Sequence, residues 1–174
     1  MTPRHLELKG TDRARYFAPT AICGYLALLC VALIAISPFL TGLRDALALT
    51  AAGAFGLLLA GGLGVLFWRA QWRDLEFTSV ATAADAARNC ARVRAAIAAA
   101  GWTLVGEVPG EALRAVTTTS PLAAGDRVEV RFAGAEVRVA SICDPGTGFS
   151  LVGRQRCREN RERVLAAVRD VTLP

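Results

Sequence analysis

The sequence predicts an α+β protein, in which an N-terminal two-helix transmembrane hairpin precedes an α-β-β-β-β-α domain with both helices on one face of an antiparallel sheet. Three observations predict it. Two runs, 18–40 and 46–68, contain no Asp, Glu, Lys or Arg, and each reaches the roughly 20 apolar residues that a helix needs to cross a bilayer. Residues 127–132 and 136–142 alternate apolar and polar side chains, the period of a half-buried strand. Helical periodicity flanks the strand-rich region over about 83–100 and 155–171. The expected divisions are a cytoplasmic flank (1–17), the hairpin (18–68), a juxtamembrane linker (69–81) and a cytoplasmic α+β domain (82–174).

Composition supports this division. The chain has 174 residues, is 53% hydrophobic and carries a formal charge of +5, from 20 basic against 15 acidic residues. Only part of that excess lies in the soluble region: residues 75–174 hold thirteen basic and eleven acidic side chains. A strongly basic groove for nucleic acid is therefore not expected.

The N-terminal flank is polar, with Arg4, Lys9, Arg13 and Arg15 against Glu7 and Asp12, and Tyr16 and Phe17 stand at the expected interface. The first apolar run, about 23 residues, exceeds the 7 to 15 of a cleaved signal and is followed by a second. Pro38 and Gly42 mark the end of the first helix and the turn. Arg69 and Arg73 follow the second run, whereas the connection holds only Arg44, offset by Asp45. The positive-inside rule then puts both termini in the cytoplasm, at a bacterial inner (plasma) membrane. In the second helix Ala52, Gly56, Ala60 and Gly64 form a small-residue face of the kind that lets helix backbones approach in lipid. That face packs on the chain's own first helix, on a second copy in a homo-oligomer, or on another membrane protein.

Residues 76–80 read as a short strand or as linker. Thr82-Ala-Ala-Asp85 has capping-box spacing, with Asp in place of Glu, and predicts a helix over 83–100 whose stripe is Ala86, Cys90, Val93 and Ile97. Gly101 closes it. Strands are expected over 102–108 and 112–118, joined at Pro109-Gly110, and over 127–132 and 136–142, joined at Ala133-Gly-Ala135. Such short turns require antiparallel pairing. The closing helix carries an apolar stripe of Val164, Leu165, Val168 and Val171 behind an arginine-rich first half. Two helices over one face of a sheet is the compact arrangement for this order.

Gly101-Trp102, Val137-Arg-Val-Ala-Ser-Ile-Cys143, Gly148, Gly153-Arg154 and Asn160-Arg-Glu-Arg163 together resemble a family of small uncharacterised bacterial α+β domains. The resemblance covers about 82–171. The usual Asp and Gly-x-Asn before the last helix are replaced here by Phe149-Ser150 and Gly153-Arg154-Gln155. It implies a fold and no activity.

The chemistry-bearing candidates are few. The glycine-rich turn 144–153 enters a helix beside Arg154, Arg156 and Arg158, so Gly153 and these arginines form a candidate site for phosphate, nucleotide or lipid headgroup. The competing reading is a turn that needs glycine at positive φ, beside a solvated or headgroup-facing helix surface. The five cysteines lack C-x-x-C spacing and the single histidine, His5, is distant in sequence, so no metal site, cofactor or disulfide framework is expected. Cys90 reads as core, and Arg158 near Cys157 is expected to lower a thiol pKa, making a redox-sensitive thiol a third idea. No nucleophile–base set is present for an enzyme. The expected function is a membrane-anchored, non-enzymatic module for a membrane or cytoplasmic protein partner; the alternative is a small-anion sensor.

Overall fold

The computed structural model describes residues 5–40, 42–117, 125–144 and 151–169. Its elements are α1 (Gly10–Leu40), α2 (Leu43–Leu75), β1 (Thr78–Ala81), α3 (Ala86–Ala99), β2 (Thr103–Val108), β3 (Ala112–Val116), β4 (Arg127–Ala133), β5 (Glu136–Ile142) and α4 (Leu151–Arg169). They form two compact units, Tyr16–Trp72 and a second built from Met1–Arg15 with Arg73–Pro174.

The first unit consists of most of α1 and α2. Both helices are long and apolar enough to cross a membrane, and only 11% of the most apolar window of each is buried. Large side chains such as Leu28, Phe39, Phe55 and Leu58 point outward, whereas the core helix of a water-soluble protein hides such groups. The helices are longer than the apolar runs that predicted them, α1 beginning at Gly10 and ending at Leu40, two residues after Pro38, and α2 running from Leu43 to Leu75.

Small residues bring α1 and α2 together. A Cβ on Gly53 would lie 2.7 Å from Ile34 Cγ1 and 3.3 Å from the Cys30 carbonyl oxygen; on Gly56 it would lie 2.8 Å from Cys30 Sγ, and on Gly64 3.3 Å from Cys23 Cβ. Ala60 is buried on the same face. Gly56, Ala60 and Gly64 thus belong to the packing face, but Ala52 is exposed and Gly53 takes its place. The reason is helical drift. Four residues turn a helix through about 400°, so a strict four-residue repeat rotates about 40° per step and leaves a straight seam. Polar contacts supplement the packing: Gln71 Nε2 donates to the Tyr16 carbonyl at 2.8 Å, Thr20 Oγ1 donates to Gln71 Oε1 at 2.7 Å, and the Ser37 and Thr50 hydroxyls lie 2.9 Å apart. Phe17, Trp68 and Trp72 form an aromatic cluster with centroids 5.5 to 6.0 Å apart.

The second unit is α+β. Its five-stranded antiparallel sheet has the order β1-β5-β4-β3-β2. The expected four-strand meander is present, and β1 adds an edge strand on β5, pairing Thr78 with Val139 and Ala81 with Glu136. The stretch 69–81 is therefore not only a linker, because it contains the end of α2 and this strand. The alternation read in β4 and β5 sorts correctly: Val128, Val130, Phe132, Val137 and Val139 join Leu113 and Ala115 on one face. Cys90, Val93 and Ile97 of α3 and Val164, Leu165 and Val168 of α4 complete this core, so both helices cover the same face. Val171 lies outside the described residues.

Local signals fix the ends of α3. Asp85, not Thr82, is its N-cap, with extended backbone and a side chain accepting from Arg88 N at 2.8 Å. Thr82 is committed to the sheet, because its N–H and Oγ1 both donate to the Ala135 carbonyl, and the helix starts at Ala86 instead of Ala83. At the other end Gly101 adopts φ +69, Gly101 N donates to Ala98 O and Trp102 N donates to Ile97 O, each at 3.0 Å. That is a Schellman closure, and it drops Trp102 into the core.

Candidate functional site

Three regions of the α+β unit concentrate polar chemistry. The first is the start of α4, where the expected anion-site residues fall within two turns. The turn 145–150 lies outside the described residues. Gly153 is the third residue of α4 and buried, so it lies in helix and not in a turn at positive φ. Each arginine meets a carboxylate: Arg154 Nε lies 2.9 Å from Asp74, Arg156 3.5 Å from Asp126, and Arg158 2.9 Å from Glu162. Arg163 stacks over the Trp102 ring at 5.8 Å.

The second region is the sheet face away from the helices. The segment 5–9 lies along it, fixed by Leu6 N donating to Leu75 O at 2.8 Å and by a bridge between His5 and Glu76. Between this segment and the sheet is a cleft of about 530 Å³, whose walls include Glu7, Lys9, Asp12, Arg114, Arg127 and Glu129. Its charges balance. Glu129, 4% exposed, accepts from Arg114 at 3.1 Å and from Arg131 at 2.8 Å, and Arg127 pairs with Asp12 at 3.1 Å. Val105 of β2 and Val116 of β3 add apolar wall. Strand β2 is the sheet edge here and, among the described residues, pairs with β3 alone. Leu104, Val105 and Val108 on it are 37%, 58% and 49% exposed.

The third region is buried behind the start of α4. Cys143 directly follows β5, Cys157 faces it from α4, and their Sγ atoms lie 3.7 Å apart. Asp126, just before β4, brings a carboxylate oxygen into the same group, with all three ligand-type atoms within 4.8 Å of one another. Asn160 Nδ2 donates to Asp126 Oδ2 at 3.1 Å, while Oδ1 is buried and makes no hydrogen bond among the described residues. Burial pushes the Asp126 carboxyl above its ordinary range, opposed by Arg156 and Asn160. The Cys143 thiol, then burial, hold Cys157 protonated far above the usual thiol range. This corrects the expectation of a thiol acidified by Arg158, whose guanidinium is turned to Glu162. Sequence spacing missed the cluster because its members sit on three separate segments; the cue available was only a pair of cysteines flanking the strand-to-helix connection.

No protein-family model, curated protein or solved structure matches the chain.

Proposed function

We propose that the chain is a membrane-anchored, non-enzymatic binding module that takes an extended segment of a protein partner on the edge of β2. The observation that carries this reading is the outer edge of β2, unpaired among the described residues, with Leu104, Val105 and Val108 exposed beside a polar cleft. An open edge offers a row of backbone donors and acceptors to an added strand, and alternate side chains reach pockets on either face. The anchor is the α1–α2 hairpin, whose outward apolar side chains suit lipid, and the flanking Arg and Lys residues orient both termini to the cytoplasm.

The test is site-specific photocrosslinking of the full chain in its native membrane. A photoreactive residue at Val105 is expected to capture a discrete partner that a probe at exposed Arg88 on α3 does not, and Val108→Lys is expected to abolish the capture. Identical products from both probe positions refute it. A second reading, an anion held at the start of α4, has in its favour the grouping of Gly153, Arg154, Arg156 and Arg158 near helix amides. It requires inorganic phosphate to raise the melting temperature and Arg154→Ala to remove that rise.

A further inference from the structure

We infer that Asp126, Cys143 and Cys157 form a binding site for one zinc-class ion, a borderline-to-soft divalent metal held by two thiolates and a carboxylate. The inference is independent of the partner reading above and goes against the sequence expectation of no metal site.

Geometry carries it. In a tetrahedral zinc site with Zn–S bonds of about 2.3 Å, two sulfurs stand about 3.8 Å apart, since a tetrahedron's edge is about 1.63 times the bond length. The Cys143 and Cys157 sulfurs stand at 3.7 Å. An ion placed on that edge has its third ligand in Asp126, whose carboxylate oxygen is within 4.8 Å of both sulfurs. Asp126 is 3% exposed, and its buried Oδ1 makes no hydrogen bond among the described residues, meeting the Arg156 guanidinium only at 3.5 Å. Coordination to the ion supplies the close partner that this oxygen lacks.

Charge supports the same assignment. Two thiolates and a carboxylate around a divalent ion leave one negative charge, and Arg156, 3.5 Å from Asp126, supplies the balancing positive charge. Asn160 donates to Asp126 Oδ2 at 3.1 Å and so positions the carboxylate from behind, as partners of metal ligands do. Sulfur-rich donor sets select zinc-like and softer ions over magnesium or calcium. Binding replaces the two S–H bonds with metal–sulfur bonds and releases the thiol protons to solvent.

The experiment uses the full chain in detergent, reduced and freed of metal by a chelator, with Co²⁺ as the spectroscopic probe. One Co²⁺ per chain is expected, giving intense thiolate-to-cobalt charge-transfer absorption that one equivalent of Zn²⁺ displaces. Cys143→Ser and Cys157→Ser each remove the absorption, Cys90→Ala retains it, and Asn160→Ala weakens binding roughly 10- to 100-fold. Failure of the wild-type chain to develop the absorption overturns the inference, as does absorption that survives both serine variants. So does a reduced chain that forms a Cys143–Cys157 disulfide with oxidant but takes no Co²⁺, which makes the pair a redox dithiol. If the serine variants do not fold, X-ray absorption of the zinc-loaded wild-type chain decides. Two sulfurs at about 2.3 Å are expected, and a shell without sulfur overturns the site.

Discussion

Replacing Gly53 by valine tests whether the small-residue face serves the chain's own hairpin. The Cβ alone would stand 2.7 Å from Ile34 Cγ1 and 3.3 Å from the Cys30 carbonyl oxygen. Rotation of Ile34 relieves the first contact, but the second is to backbone, and the two methyls of valine add volume where α1 already sits. Overpacking of this kind costs about 1–3 kcal/mol, while leaving glycine for a residue of better helix propensity returns only a few tenths. The net expectation is a loss of about 1–2.5 kcal/mol, up to roughly seventyfold in the folded-to-unfolded ratio. Gly61 is the control, because a Cβ there meets nothing within 4 Å, so Gly61→Val is expected to be neutral within about 0.5 kcal/mol. The assay is unfolding of the full chain in mixed micelles by increasing SDS, followed by the fluorescence of Trp68 and Trp72 with Trp102 replaced by phenylalanine in every variant. Equal midpoints for the two variants refute the assignment. A drop in oligomer mass with Gly53→Val at unchanged monomer stability transfers the face to a homo-oligomer contact.

Three further outcomes follow from the α+β unit. Leu113→Ala, at a fully buried position between the sheet and its helices, is expected to cost about 2–5 kcal/mol in chemical unfolding of the full chain; a change under 1 kcal/mol contradicts the core assignment. Asn89, fully buried, donates to Thr82 Oγ1 at 2.7 Å and to the Ala84 carbonyl at 3.1 Å, so Asn89→Ala is expected to lose about 1–3 kcal/mol and to speed amide exchange at the β1–α3 junction. Glu136 has its carboxyl held below the ordinary 4.5 by hydrogen bonding from Arg138. A lowered folded pKa means stability that is present above 4.5 and fades as pH falls through the folded value. Carboxyl NMR should place its midpoint below 4.5, and Glu136→Gln should remove that part of the acid sensitivity; a midpoint above 4.5 reverses the sign.

What could be read from sequence was what depends on period and on local caps. Val128, Val130 and Phe132, with Val137 and Val139, announce a one-sided sheet because period two leaves them nothing else to do, and Cys90, Val93 and Ile97 do the same for α3. Gly101 closes its helix as composition alone requires. The failures share a cause. Thr82 has the look of a cap but is claimed by Ala135, a partner 53 residues away. Strand β1 is too short to show a period and exists because β5 offers it an edge. The arginines at the start of α4 offer a candidate anion site beside the reading of a solvated helix face; the Arg158–Glu162 pair lies at helical spacing, but Asp74 and Asp126, which take Arg154 and Arg156, come from distant segments. A run of like charge along a chain is thus not a patch of charge in space. Conversely, Asp126, Cys143 and Cys157 look unrelated in sequence and meet only once β4, β5 and α4 are assembled.

The two sheet edges differ in a way that bears on binding. Edge strands invite unwanted pairing, and folds blunt them with shortness, bulges and charge. β1 is four residues long, enough to limit it as a template. β2 is longer and carries the other two devices: an irregularity between Leu104 and Gly106, and Glu107 ion-paired with Arg94 of α3. These interrupt the ladder at its start and leave the regular register with β3 over Gly106, Glu107 and Val108. The proposed partner strand would therefore have only a short length of edge to extend, from Gly106 to Val108 beside Val105. Backbone pairing over so few residues is weak by itself. For the proposed partner strand, affinity would then have to come from side chains reaching the neighbouring cleft, where the balanced set of Lys9, Arg114 and Arg127 against Glu7, Asp12 and Glu129 would favour a polar segment carrying both signs of charge over a purely acidic or basic one.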